Sequence, residues 1–219
     1  MSLKIGKASL KGREHDQNED AGVGQVTGQG GWVVLIDGMT GHGMGDVVAT
    51  LGVFSGGNAL FNAPSPADAL IEAHEAVCVL ENLGRDGRRP GGSGLTAVIL
   101  GNSLQAARVG DVRGYIWTFL DAVKLLFGKD HHNGKGLTRW LGQPGELNPE
   151  AIEKELPEEY VLLFLTDGVW DPLGEGLLDQ LVAQGGGAQS IADRIVEWAH
   201  QIDGYDDTTA LVIVKKKEE

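Results

Sequence analysis

The stretch VVLIDGMTGHGMGD, residues 33–46, decides how the chain is read. Val33 to Ile36 are four consecutive apolar residues, the pattern of a strand buried on both faces. The run ends in Asp37, and four glycines stand among the eight residues after it. A lone Asp at a strand end is ordinary turn chemistry. Asp37 gains meaning only if other strands bring acids to the same place. Three further segments repeat the pattern: Val161 to Thr166 before Asp167, Asp206 and Asp207 before Thr208 to Val214, and Asp111, preceded by glycine, in ARVGDVRGYIW.

Several carboxylates gathered at one point repel one another at neutral pH and raise each other's pKa unless a cation neutralises them. A divalent metal resolves the conflict. Hard ions such as Mg²⁺ and Mn²⁺ take oxygen ligands and keep several waters, so a few Asp side chains and a backbone carbonyl suffice. Gly38, directly after Asp37, lets the chain turn and offer its own carbonyl.

Composition limits the alternatives. With 219 residues, 42% hydrophobic and 22% charged, the chain has the usage of a globular protein and the length for one domain, expected to cover 1–219. The 31 acidic residues against 18 basic ones give a formal charge of −13, which repels phosphate backbones and argues against nucleic-acid binding. The one cysteine, Cys78, lies in a helical pattern and forms no internal disulfide, which fits a reducing cytoplasm. The first twenty residues lack an apolar core and no run reaches the ~18 apolar residues of a membrane span, so neither export nor anchoring is expected.

Organisation follows from punctuation. Three short strands, 3–12, 20–28 and 30–37, precede a glycine-interrupted helix at 46–59 and a helix capped by Ser65, with Pro66 at its first turn, running to Gly84. After a loop at 85–94, strands are expected at 95–102 and 103–117, then a loop-rich excursion over 120–150. A buried strand at 159–166 ends in Asp167, a helix at 188–203 places Ile191, Ile195, Trp198 and Ile202 on one side, and 206–214 form the last strand before a charged, solvated tail at 215–219. This order does not alternate as βαβ units do, which favours a layered α+β sandwich over a doubly wound sheet.

At these residues the chain resembles the metal-dependent Ser/Thr protein phosphatases of the PP2C (PPM) family in their compact bacterial form. The matching segments run in family order: NEDA (18–21), DGMTGHGMGD (37–46), GSGLTAVIL (92–100), VGDVRGYIW (109–117), LTRWLG (137–142), LTDGVWD (165–171) and DDTTALVIV (206–214). The resemblance implies a central antiparallel β-sandwich flanked by helices, an αββα arrangement in four layers, with two Mn²⁺ or Mg²⁺ ions at one end. It implies that Asp37 bridges the ions, that the Gly38 carbonyl binds one, and that Asp167 and Asp206 complete the other. Asp111 is then the candidate for a weaker third ion, Glu19 acts through water, and Asp20 supports from behind. The implied chemistry is direct attack on phosphoserine or phosphothreonine by a hydroxide shared between the ions. The implied partners are a phosphorylated protein and an opposing Ser/Thr kinase; a monomer is expected.

The chain also departs from the family pattern. The phosphate-binding arginine four residues before the Glu of NED is His15 here, leaving Arg13 or His15 as the phosphate ligand. Asp207 stands where asparagine often follows the metal Asp, Val112 replaces a serine, and Thr40 replaces a glycine. His42 either assists leaving-group protonation or hydrogen-bonds within its loop. The flap region between Trp117 and Val161 is short, and adjacent His131 and His132 seldom converge on one ion. The rivals are a haloacid-dehalogenase phosphatase, which lacks its second acid because Met39 occupies that place; a nucleotide-binding protein, which lacks the glycine motifs; and a catalytically weak PP2C-like domain that binds phosphoproteins.

Overall fold

The computed structural model describes residues 2–28, 30–62 and 65–216. Among these residues ten strands form two five-stranded antiparallel sheets. One sheet has the order β1 (Ser2–Leu10), β10 (Thr208–Lys216), β9 (Tyr160–Leu165), β6 (Arg113–Thr118), β7 (Asp121–Leu125). The other has the order β2 (Asp20–Thr27), β3 (Gly30–Gly38), β4 (Gly92–Leu100), β5 (Ser103–Val109), β8 (Glu150–Glu155). Helices α1 (Gly45–Asn62) and α2 (Pro66–Cys78) cover the second sheet, and α3 (Asp167–Ala183) and α4 (Ala188–Ile202) cover the first. This is the layered α+β sandwich expected from the order of elements, in the four-layer αββα form that the family resemblance implies.

The opening tetrapeptide shows why its residues are all apolar. Val33 and Leu35 face the other sheet, where they join Leu162, Phe164, Leu211 and Ile213. Val34 and Ile36 face the helices, where they meet Leu60, Leu70 and Ala73. A strand between two apolar layers has no solvated side, so the two-residue alternation disappears from its sequence. β9 behaves alike: Leu162 and Phe164 point between the sheets, while Leu163 and Leu165 pack on Leu178, Ile191 and Ile195.

Glycines permit close approach where layers meet. In α1, Gly52 faces Ile36, Gly56 faces Val34 and Gly57 faces Trp32, so the helix lies near the sheet despite the propensity cost of glycine. Gly6 on β1 sits against the first turn of α4, and a Cβ there would overlap the Ala188 carbonyl. Gly6→Ala is therefore expected to cost about 1–3 kcal/mol, since backbone cannot yield as a side chain does. Thermal denaturation should show Tm lowered by about 5 °C, and an unchanged Tm would contradict the packing.

The structure corrects several boundaries. α2 has its Ser65 cap and Pro66 but ends at Cys78, not at Gly84. The segment read as one strand over 103–117 is two strands in different sheets, separated at Gly110, whose φ of 84° turns the chain across the sandwich. The loop-rich excursion contains β7 and leads into β8, both edge strands. A seventeen-residue helix, α3, follows β9 where none was expected. In α4 the buried face is Ile191, Ala192, Ile195, Val196 and Ala199, whereas Trp198 and Ile202 are 46% and 51% exposed. Lys215 and Lys216 of the expected tail continue β10, and 217–219 lie outside the described residues. Among the described residues no helix is long and apolar enough to cross a membrane.

Candidate metal centre

The strand ends named by the sequence meet at one end of the sandwich. Asp37 on β3 is in register with Asp20 on β2 and Ser93 on β4. β9 delivers Asp167 at the start of α3, and Asp206 stands two residues before β10, antiparallel to β9. Asp111 occupies the turn between β5 and β6, held there because the Ser93 hydroxyl donates to its carboxylate at 2.5 Å and the Trp170 indole donates to its carbonyl at 3.0 Å. Asp37, Gly38, Asp111, Asp167 and Asp206 line one cleft of about 430 Å³, with His42, Lys135 and Trp140 also on its walls.

The electrostatics are those of a crowded anionic site. Burial first, then the charges of Asp167, Asp20, Asp111 and Asp206, hold the Asp37 carboxyl well above the usual carboxylate range. Burial, Asp206 and Asp111 push Asp167 up to about 7, although the Gly168 amide donates to it at 2.7 Å. Carboxyl groups crowded in this way favour their neutral forms until a cation neutralises them. Asp206 is raised as well, by burial foremost. Asp20 is raised well above its usual value by burial, while accepting from the Thr166 hydroxyl at 2.9 Å.

Local backbone shapes the cleft. A Cβ on Gly38 would overlap the Gly45 carbonyl, and the Gly38 amide donates to the Glu19 carbonyl at 2.8 Å, so residue 38 has no room for a side chain. Gly41 and Gly43, with φ of 79° and 77°, curl the loop back into α1. A Cβ on Gly45 would in turn strike the Glu19 carboxyl, which therefore rests at the N-terminus of α1. Glu19 Oε2 is buried there with no hydrogen-bond donor. An all-oxygen donor set, acids that raise one another's pKa and an orphaned carboxylate oxygen fit hard divalent cations.

The remaining sequence candidates are placed as follows. His42 donates from Nδ1 to the Arg89 carbonyl at 2.9 Å and turns its ring to the cleft. His15 pairs through Nδ1 with Asp207 at 2.9 Å, with Nε2 at 3.8 Å from Asp206 and 3.4 Å from the Thr40 hydroxyl. Burial opposes its charge, but Asp207, Asp206 and Glu19 outweigh that and raise its pKa. Arg13 points elsewhere: its guanidinium donates to the His200 carbonyl at 3.0 Å beside Gly204, and the residue does not line the cleft. His131 is buried and accepts from the Gly110 amide at 3.1 Å, while His132 lines the cleft.

Other residues that shape the site were missed by sequence reasoning. Arg108, fully buried in β5, pairs with Asp130 and Glu150, each at 2.8 Å. Arg113 adds a second bond to Asp130 at 2.6 Å and stacks on Trp170. Together they clamp the base of the short flap beneath the cleft. A charged residue inside the apolar run LQAARV was the available signal, because a buried guanidinium demands partners.

The architecture has close counterparts among solved structures. The S. agalactiae serine/threonine phosphatase superposes with a TM-score of 0.85 at 19% identity over 98% of this chain and 100% of that one. This chain has the fold of the bacterial serine/threonine phosphatases. Stp1 from Staphylococcus aureus gives a TM-score of 0.84 at 19% identity, covering 100% of this chain and 96% of that one. The catalytic domain of the phosphatase PstP, solved in complex with two manganese ions, gives 0.81 at 21% identity, covering 98% and 99%. No protein-family model matches the sequence, and no curated protein matches it.

Proposed function

We propose that the chain is a metal-dependent protein serine/threonine phosphatase. The observation that carries this reading is the convergence of Asp37, Asp111, Asp167 and Asp206, from separate strand ends, on one cleft of a phosphatase-like fold. Two Mn²⁺ or Mg²⁺ ions would be held by Asp37, the Gly38 carbonyl, Asp167 and Asp206, with Asp111 available to a weaker third and Glu19 reaching them through water. When bound, such ions acidify a water near neutral pH and neutralise charge on phosphoryl oxygens.

The chain's own groups have distinct tasks in this reading. Thr166 fixes the Asp20 carboxyl behind Asp37 through its 2.9 Å hydrogen bond. His42, locked by the Arg89 carbonyl through Nδ1, presents its other nitrogen to the leaving serine or threonine oxygen. Cys78 has no part in the chemistry: it lies in α2, with its sulfur beside His74 and the Gln143 carbonyl. The substrate is a phosphorylated protein opposed by a Ser/Thr kinase, and the protein works as a cytoplasmic monomer.

Phosphate recognition falls to His15 more than to Arg13: neither lines the cleft, but His15 Nε2 lies 3.4 Å from Thr40 and 3.8 Å from Asp206, which do, whereas Arg13 is committed to the His200 carbonyl. Hydrolysis of p-nitrophenyl phosphate and a phosphothreonine peptide with and without Mn²⁺ tests the reading. Metal-dependent turnover is expected, with His15→Ala raising KM about 10-fold, as for loss of a charged hydrogen bond, and Arg13→Ala changing it less than about 2-fold. One observation favours the second reading, a catalytically weak phosphoprotein-binding domain: His15 is already hydrogen-bonded to an aspartate. Binding of the phosphopeptide without turnover would select it.

A further inference from the structure

Asp207 is the most buried carboxylate at this end of the sandwich, 2% exposed, yet it is not among the residues lining the cleft. Its two oxygens collect three N–H donors from one loop. Oδ1 accepts from the Gly12 amide at 2.7 Å, and Oδ2 accepts from the Glu19 amide at 2.6 Å and from His15 Nδ1 at 2.9 Å. His15, Asp206 and Asp207 also bring ligand atoms within 4.8 Å of one another. The donors already on Asp207, however, leave that carboxylate acting as an acceptor for the loop and not as a metal ligand.

We infer that Asp207 is a positioning residue for phosphate recognition, fixing the ring of His15 and the backbone of Glu19 at the rim of the metal centre. The inference rests on the phosphatase reading above. With Nδ1 held by Asp207, the other polar edge of the His15 ring, Nε2, is turned to the cleft side, where its contacts are long: 3.4 Å to the Thr40 hydroxyl and 3.8 Å to Asp206. The same carboxylate holds the Glu19 amide, and the Glu19 carbonyl in turn accepts from Gly38, next to Asp37. One side chain therefore ties the foot of β10, the loop of residues 12–19 and the end of β3 into a single unit.

Only a carboxylate does this at position 207. An asparagine has one acceptor oxygen and one amino group, so whichever way it is turned, its NH₂ faces an N–H of Gly12 or those of Glu19 and His15. Two of the positions where this sequence departs from the PP2C pattern, His15 and Asp207, are thus partners across 192 positions of chain. An imidazole needs an anchor to hold its orientation, and a buried carboxylate with three donors supplies one.

The test uses the full chain loaded with Mn²⁺, titrated with inorganic phosphate by calorimetry and assayed on a phosphothreonine peptide, as wild type, Asp207→Asn, His15→Ala and the double variant. Each single variant is expected to weaken phosphate binding about 10-fold and raise KM similarly, with kcat changed less than about 3-fold. The double variant should be no weaker than the weaker single, because both act through one unit. Independent, multiplying losses would overturn the inference. So would Asp207→Asn with unaltered phosphate affinity and a lowered Tm, which marks a loop staple alone. Those results leave the phosphatase reading standing if the wild type turns over. A wild type that neither binds phosphate nor hydrolyses the peptide overturns both.

Discussion

Asp37→Ala is expected to reduce metal-dependent hydrolysis by about 10³-fold or more, the scale on which several kcal/mol of transition-state charge stabilisation disappear. The charges of Asp167, Asp20, Asp111 and Asp206 all act on Asp37, so its removal is felt across the centre. The fold should survive, since the substitution removes a buried charge from among like charges and leaves Val33 to Ile36 in their layers. The informative measurement pairs activity with Mn²⁺ affinity by calorimetry. Loss of both, with an unchanged or higher Tm in metal-free buffer, is the expected result. Retention of Mn²⁺ affinity at the wild-type level would refute the assignment of Asp37 as the shared ligand.

The metal-free protein is expected to lose stability as pH rises from about 4 to about 7. The sign follows from proton counting: Asp167 releases its proton at about 7 in the folded state and near 3.8 when unfolded. The native state therefore holds more protons across that window, and raising the pH favours unfolding. A shift of this size corresponds to about 4 kcal/mol for Asp167, with Asp37 and Asp20 acting in the same direction. In EDTA, Tm should fall between pH 5 and pH 8. With saturating Mn²⁺ the trend should reverse, because the cation competes with protons for the acids and binds best to ionised carboxylates. A Tm independent of pH in EDTA would show that the acids do not crowd one another.

How much of this could be read from residues alone depended on whether a feature was local. VVLI, VLLFL and LVIV are buried on both faces, and their continuous apolar character announced central strands with acids at their ends. α3 escaped because its own sequence argues against it: Pro172 lies inside, Gly168, Gly174 and Gly176 lower its propensity, and Gly174 leaves helical backbone with φ 59°. β8, EAIEKE, carries a strand's hydrogen bonds on an edge with little to bury, so no apolar pattern marked it. At the site, the acids were readable one by one as strand-end residues. The bond between His15 and Asp207, and the clamp of Arg108 and Arg113 on Asp130, arise only when distant segments dock, and neither partner's neighbours hint at the other.

β10 lies between β1 and β9, so Leu10 pairs with Thr208. A chain emerging from the ribosome can assemble the β2–β3–β4–β5 sheet early, from neighbours in sequence, while β1 waits for a strand made some two hundred residues later. High contact order of this kind slows folding and lengthens the time for which apolar strands stand open. Asp206 and Asp207 arrive with that late strand, so the last acid of the centre comes into place in the same step that completes the sheet.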